Sequence, residues 1–196
     1  TAEASNAVEY QVPTALAELP ENAKLFIANS MPIRDMDNYF VPKQRLQIAA
    51  NRGANGIDGT VSSSFGMAMS GQPTTLLTGD LTLFHDMNGL MLSHQAHVPM
   101  TIVVVNNQGG GIFSFLPQSE AAAYFEPMFG TPLPIVIERI ARLYDAEYKL
   151  VDDLASLSEL IRKPATRLRI IEIQSNRQKN VTAHRDLTTA INEALS

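Results

Sequence analysis

Short apolar runs alternate along the chain with amphipathic stretches, the pattern of βα units around a mainly parallel sheet. The apolar runs predict six strands: Lys24–Ala28, Leu46–Ala50, Thr74–Thr78, Met100–Val105, Tyr148–Val151 and Arg167–Ile173. The run IVVV in the fourth has almost no polar alternation, and such a strand is covered on both faces. Helical spacing predicts Pro13–Leu19, Thr60–Ser70, Asp86–Ala96, Ile135–Tyr144, Asp152–Ile161 and Val181–Leu195. In Asp86–Ala96, Met87, Leu90 and Met91 share one stripe, and Asp86 is placed to cap the first turn. The acidic start of Asp152–Ile161 suits the helix dipole. The expected fold class is α/β: a doubly wound, mainly parallel six-stranded sheet with helices on both faces. No repeat or low-complexity linker interrupts the pattern, so residues 1–196 are expected to form one domain.

Composition removes several function classes. At 196 residues the chain can bury roughly 70% of its unfolded surface without disulfides or metals as staples. It has no cysteine, which excludes disulfide scaffolds, cysteine–zinc sites and thiol nucleophiles. Fifteen basic against twenty acidic residues give a net charge of −5, which argues against a general nucleic-acid binder. No apolar run approaches the ~20 residues of a membrane span. The start, TAEASNAVEY, lacks a basic segment followed by an apolar one, so no signal peptide is read and a cytoplasmic location is expected.

Three loops stand directly after predicted strands: Asn51–Gly59 (NRGANGIDG), Gly79–Asp86 (GDLTLFHD) and Asn106–Pro117 (NNQGGGIFSFLP). In an open parallel sheet, ligands bind outside the carboxyl ends of the strands. Asp80 and Asn107 are separated by about one loop, one helix and one strand, which brings them to neighbouring strand ends. The Asp80 carboxylate, the Asn107 amide oxygen and a carbonyl from the Gly109–Gly111 turn make three hard oxygen ligands. Mg²⁺ favours such a partial shell, completed by phosphate oxygens and water. The amides of Gly79–Thr82 would face the same phosphates. Either loop alone reads as an ordinary turn; the pair at this interval reads as a metal–diphosphate site.

The other candidates are weaker on residues alone. Gly53, Gly56 and Gly59 have the spacing G-x-x-G-x-x-G, a poor match to the dinucleotide fingerprint. Arg34 could simply pair with Asp35 or Asp37, although a guanidinium also suits carboxylate ligands. Ile112, Phe113, Phe115 and Leu116 are too apolar for an exposed loop and either pack on the sheet edge or wall a pocket. His94 and His97 have a spacing zinc can use but no third ligand, and solvated or capping roles are expected for all four histidines, His85 and His184 included.

Read in order, NSMPIRD, NRGANGIDG, GDLTLFHDMNGL and NNQGGGIFSFLP resemble the cofactor-binding domain of a family of thiamine diphosphate enzymes. These are the 2-succinyl-5-enolpyruvyl-6-hydroxy-3-cyclohexene-1-carboxylate synthases of menaquinone biosynthesis. The similarity runs from about Asn29 through Pro117, with Leu81 where thiamine diphosphate motifs usually carry glycine, a departure expected to tighten the turn. The resemblance implies that Asp80, Asn107 and the Gly109 carbonyl bind Mg²⁺, and that Ser30, Ile57, Gly79, Asp80, Leu81, Thr82, Asn107, Gly109 and Gly110 bind thiamine diphosphate. It implies substrate-binding roles for Arg34 and Arg52, and an active-site wall of Ile112, Phe113 and Leu116, with Phe115 turned into the core. The implied reaction decarboxylates 2-oxoglutarate and adds the succinyl-semialdehyde unit to isochorismate. Its activating glutamate lies on a pyrimidine-binding domain of the same or a neighbouring subunit, so this chain alone is expected to be inactive and the complete enzyme a homo-oligomer, dimer or tetramer. Alternatives are a carboligase or decarboxylase of the acetolactate synthase type, and a non-catalytic binding or oligomerisation module.

Overall fold

The structure, a computed structural model, describes residues 9–195; the reading of the TAEASNAV segment lies outside those residues. Six strands form one sheet: β1 (Lys24–Ile27), β2 (Gln47–Ala50), β3 (Thr74–Gly79), β4 (Thr101–Asn106), β5 (Glu147–Val151) and β6 (Arg169–Gln174). Their order is β2-β1-β3-β4-β6-β5 and every pairing is parallel. The chain winds outward in both directions from β1 and β3, which makes the gap between those two strands a topological switch point.

The helices are α1 (Val12–Leu16), α2 (Met31–Tyr39), α3 (Thr60–Ala68), α4 (Asp80–His85), α5 (Leu92–Gln95), α6 (Ala122–Phe125), α7 (Ile137–Leu143), α8 (Leu154–Ile161) and α9 (Arg177–Leu195). Alternate residues of the central strands feed two separate cores, as the two-residue period of a strand requires. Val103 and Val105 pack with Leu16, Met36 and Leu157 on the α1, α2 and α8 face. Ile102 and Val104 pack with Phe65, Leu83 and Ile140 on the α3, α4 and α7 face. The doubly wound class is therefore realised in its literal sense, with one apolar core on each side of the sheet.

Two expectations about local structure are corrected. The helix expected over Asp86–Ala96 is broken into a 3-10 turn at Met87–Met91 followed by α5, and the helical start comes earlier, at Asp80. Asp86 does not cap its own segment: its carboxylate accepts from Ser62 N–H at 2.8 Å and Ser62 Oγ at 3.0 Å, in the first turn of α3. Gly89 lies so close to Ser62 that a Cβ there would stand 2.6 Å from its Oγ, so tertiary packing and not periodicity shapes this stretch. His184 is likewise neither solvated nor a cap. It sits among the rings of Tyr10, Tyr39 and Phe115, with its Nδ1 3.1 Å from the Tyr39 hydroxyl. Phe115 faces this cluster from the far side of its loop, half-buried.

Candidate active site

The register of β3 and β4 pairs Gly79 with Val105, so Asp80 and Asn107 emerge from adjacent strand ends. Asp80 opens α4 directly after the strand and is buried to 2% exposure. Burial pushes its carboxyl up to about 6, while the backbone N–H groups of Leu81, Asp80 and Gly109 pull the other way. Leu81 lies in helical backbone, so this position needs no glycine and the expected tightening of the turn is absent.

Asp80 Oδ2 and Asn107 Oδ1 are both buried and have no hydrogen-bond partner. Two unsatisfied hard oxygens at neighbouring strand ends are costly unless something else binds them. The surrounding backbone keeps a space open. Gly109 has φ +145°, and a Cβ there would stand 2.2 Å from the Gly130 carbonyl oxygen. At Gly111 a Cβ would stand 2.6 Å from Asn107 Nδ2. The loop is pinned within the one chain, Gly110 N–H donating to Gly130 O at 2.8 Å, and it continues as 3-10 turns at Gly111–Phe115 and Pro117–Glu120. Among the described residues no group of three or more His, Cys, Asp or Glu side chains could hold a metal. One carboxylate oxygen and one amide oxygen, both unpartnered, are the hard donors that a Mg²⁺–phosphate pair takes.

A cleft of about 470 Å³ opens over this point. Its lining brings together Ser30, Arg34, Arg52, Ile57, Gly79, Asp80, Leu81, Thr82, Asn107, Gly109, Gly110, Ile112 and Phe113. Leu116 is not part of that lining and is 39% exposed. Ser30 joins β1 to α2 in a conformation rare for a residue with a side chain, φ 74° and ψ −134°. One turn on, Arg34 donates from Nη1 to the Ser30 carbonyl at 2.7 Å and makes no ion pair with Asp35 or Asp37 among the described residues. Both Arg34 and Arg52 are exposed at the cleft.

Three buried residues around the cleft were not singled out by sequence reasoning. Asn29, at the end of β1, donates to the carbonyls of Asn51 (3.0 Å) and Gly56 (2.8 Å) and accepts from Arg52 Nη1 at 2.5 Å. It therefore holds the Asn51–Gly59 loop over the sheet edge, and its place directly after an apolar run was the available signal. Asp35 is pushed up to about 8 by burial and then by the charge of Glu9, against the pull of Arg34. Glu9 is pushed up to about 7 by burial, opposed by hydrogen bonds from Asn107 and Ser175. Nothing in the local sequence around Glu9 marks it, because its partners, Asn107 and Ser175, are 98 and 166 residues away.

Residues 33–173 match the family described as thiamine pyrophosphate enzyme, C-terminal TPP binding domain. The chain is 51% identical over 181 residues to a 2-succinyl-5-enolpyruvyl-6-hydroxy-3-cyclohexene-1-carboxylate synthase of Leuconostoc mesenteroides, covering 91% of this chain and 34% of that protein. A Listeria monocytogenes protein of the same name is 48% identical over 180 residues, 90% of this chain and 31% of its own length. The chain thus spans about a third of the curated relatives it matches. Among solved structures, benzoylformate decarboxylase from Polynucleobacter necessarius superposes with a TM-score of 0.73 at 18% identity, over 90% of this chain and 34% of that one. A 4-hydroxybenzoylformate decarboxylase of Rhodococcus jostii gives 0.68 at 16%, over 88% and 33%, so both show the shared fold. With the family match spanning most of the sheet and its strand-end loops, the chain belongs to the thiamine pyrophosphate enzymes, as their C-terminal TPP-binding domain.

Proposed function

We propose that the chain is the cofactor-binding part of a 2-succinyl-5-enolpyruvyl-6-hydroxy-3-cyclohexene-1-carboxylate synthase, a transferase acting in menaquinone biosynthesis on 2-oxoglutarate and isochorismate. The observation that carries this reading is one cleft that joins the two unpartnered oxygens, Asp80 Oδ2 and Asn107 Oδ1, to two exposed guanidiniums, Arg34 and Arg52. The relatives that share about half of its residues bear that name. When bound, thiamine diphosphate supplies an electron sink for breaking a bond to a carboxylate carbon. Asp80, Asn107 and the Gly109 carbonyl would hold Mg²⁺. The amides of Leu81 and Thr82, in the first turn of α4, would be available to the phosphates. Gly79 and Gly110 would let the backbone approach, while Ser30 and Ile57 would pack against the rest of the cofactor. Both substrates are carboxylates, and Arg34 and Arg52 neutralise and orient them by paired N–H donation. Ile112 and Phe113 exclude water from the reacting end, and Leu116 extends that apolar wall outside the cleft.

The activating glutamate comes, in this reading, from a pyrimidine-binding domain of the same or a neighbouring subunit, and the working enzyme is a cytoplasmic homo-oligomer. The full-length protein should consume 2-oxoglutarate only when isochorismate, thiamine diphosphate and Mg²⁺ are all present. Turnover of pyruvate in place of that pair would reassign it to the acetolactate synthase type.

A further inference from the structure

The diphosphate motif accounts for Asp80 and Asn107 as oxygen donors but not for what turns the Asn107 amide the right way round. An asparagine amide can flip, presenting either its oxygen or its NH₂ to a given neighbour. A cation site needs the oxygen, and an NH₂ turned toward the cation would repel it.

Glu9 lies in a 3-10 turn at Glu9–Gln11, at the opposite end of the chain from β6, and is 4% exposed. Asn107 Nδ2 donates to both of its carboxylate oxygens, at 3.1 Å each. Ser175 Oγ donates to Glu9 Oε1 at 2.9 Å, and Ser175 N–H donates to Asn106 O at 2.9 Å, which ties the carboxylate to the end of β4. Both Glu9 oxygens accept from Nδ2, so it is the NH₂ end of Asn107 that faces this side chain and the oxygen end that is turned away. The opposite end, Oδ1, is then the atom left buried without a partner, as Asp80 Oδ2 is nearby. Gly111 completes the arrangement, since any side chain there would collide with the Nδ2 that Glu9 holds.

We propose that Glu9 is a positioning residue: it locks the Asn107 amide with Oδ1 presented to the cation. This rests on the reading of Asp80 and Asn107 as metal ligands. Glu9 itself donates no atom to the cation in this assignment. It fixes which atom Asn107 donates, and it couples the N-terminal turn to the ends of β4 and β6.

The test uses the full-length protein, with thiamine diphosphate binding measured by calorimetry while Mg²⁺ is titrated, and Mn²⁺ binding followed separately by electron paramagnetic resonance. Wild type should need Mg²⁺ for tight binding, and Asp80→Asn should abolish that requirement's midpoint altogether. Glu9→Leu, similar in bulk but unable to accept, should raise the Mg²⁺ midpoint at least tenfold and weaken Mn²⁺ binding by a similar factor. Glu9→Gln keeps one acceptor oxygen and should recover most of the loss. A merely structural Glu9 would lower the melting temperature of the ligand-free protein while leaving the metal midpoint of the folded fraction unmoved, and that result would overturn the proposal. If Glu9→Leu fails to fold, Ser175→Ala, which removes the donor that holds Glu9 Oε1, should shift the midpoint in the same direction, and no shift would count against the proposal. A wild-type protein whose cofactor binding ignores both Mg²⁺ and Asp80→Asn would overturn the metal site itself, and Glu9's role with it.

Discussion

Arg34 and Arg52 reach the same cleft by different means. Arg34 is fixed from below by its own helix, its Nη1 bonded to the Ser30 carbonyl, whereas Arg52 is fixed from the side by Asn29 Oδ1. Each guanidinium has five N–H donors in a planar fork, so one such bond leaves a face for a carboxylate. Neither side chain touches Asp80 or Asn107 through a hydrogen bond among the described residues. In the full-length protein, Arg34→Ala and Arg52→Ala should each remove about 1.5–3 kcal/mol of charge-assisted bonding, roughly 10- to 150-fold in kcat/KM for the carboxylate substrates. Thiamine diphosphate affinity, read by calorimetry, should change little. A variant that lost cofactor binding with substrate use intact would reverse the division of roles. At this scale the sequence disclosed residues inside compact motifs: Asp80, Asn107 and the glycines could be named because their partners lie in the same or the next loop. Asn29 had only its place after an apolar run to mark it, and Glu9 and Asp35 were illegible as site residues, because a buried polar group declares itself through neighbours brought from elsewhere in the chain.

At the scale of elements, α2 and α9 are joined through a buried pair. Asp35, on α2, has its Oδ1 3.2 Å from His184 Nε2 on α9, close enough for an ion pair yet not aligned as a hydrogen bond. Burial drives both groups toward neutrality: Asp35 is pushed up to about 8, and His184 is pushed down. The folded state therefore holds the Asp35 proton more tightly than the unfolded state does. Its contribution to stability is complete below pH ~4 and is lost as the pH rises toward 8, at up to ~1.4 kcal/mol per pH unit. His184 acts oppositely, costing stability as the pH falls below 6.5, so the window from 6.5 to 8 reports the carboxyl side. Glu9 and Arg34 also face Asp35, and Glu9 titrates with the same sign. Asp35→Asn should flatten the ligand-free melting temperature across that window, with several degrees less decline than wild type. An unchanged slope would show that Asp35 is already ionised beside His184. The elements themselves were legible to different degrees. All six strands were predicted to within about two residues: the inner ones because strands buried on both faces carry apolar runs, and the half-exposed edge strands β2 and β5 from shorter apolar stretches. Helix α2 was legible only as a first turn at Pro32 and not by apolar spacing, since MPIRDMDNY hides its two buried methionines among polar residues, and the segment from Asp80 to Gln95 was shaped by Asp86 reaching across to α3.

For the whole molecule, apolar surface is spread unevenly. Phe113, at the rim of the cleft, is 36% exposed; beyond the cleft Leu116 is 39% exposed, and Tyr124 and Met128 reach 65% and 67%. These residues belong to one connected stretch, the 3-10 turns after β4 followed by α6 and a π-helical turn at Glu126–Gly130, with Phe113 and Phe125 both against the Phe129 ring. The stretch is anchored from behind by Arg177 on α9, bonded to Glu126 at 2.8 Å, and by Gly130 O, which holds the Gly110 amide. In the proposed synthase, an anchored segment that presents several large apolar side chains to water is expected to be a contact surface, since scattered exposure alone would be unremarked. It adjoins the reacting end of the cleft, where the proposed synthase needs a second domain to supply its activating glutamate. The 196-residue chain expressed alone should therefore show no turnover with 2-oxoglutarate and isochorismate, and its mass by light scattering should exceed one copy and rise with concentration. Tyr124→Lys combined with Met128→Lys places two charges on that surface and should return the chain to one copy. The Mg²⁺-dependent rise in melting temperature with thiamine diphosphate should survive, because the ligands at Asp80 and Asn107 are untouched and a ligand that binds only the folded state still stabilises it. A chain that stays monomeric at high concentration without those substitutions would show that this surface needs a different partner. Turnover by the chain alone would place the activating group within these residues and end the two-domain reading.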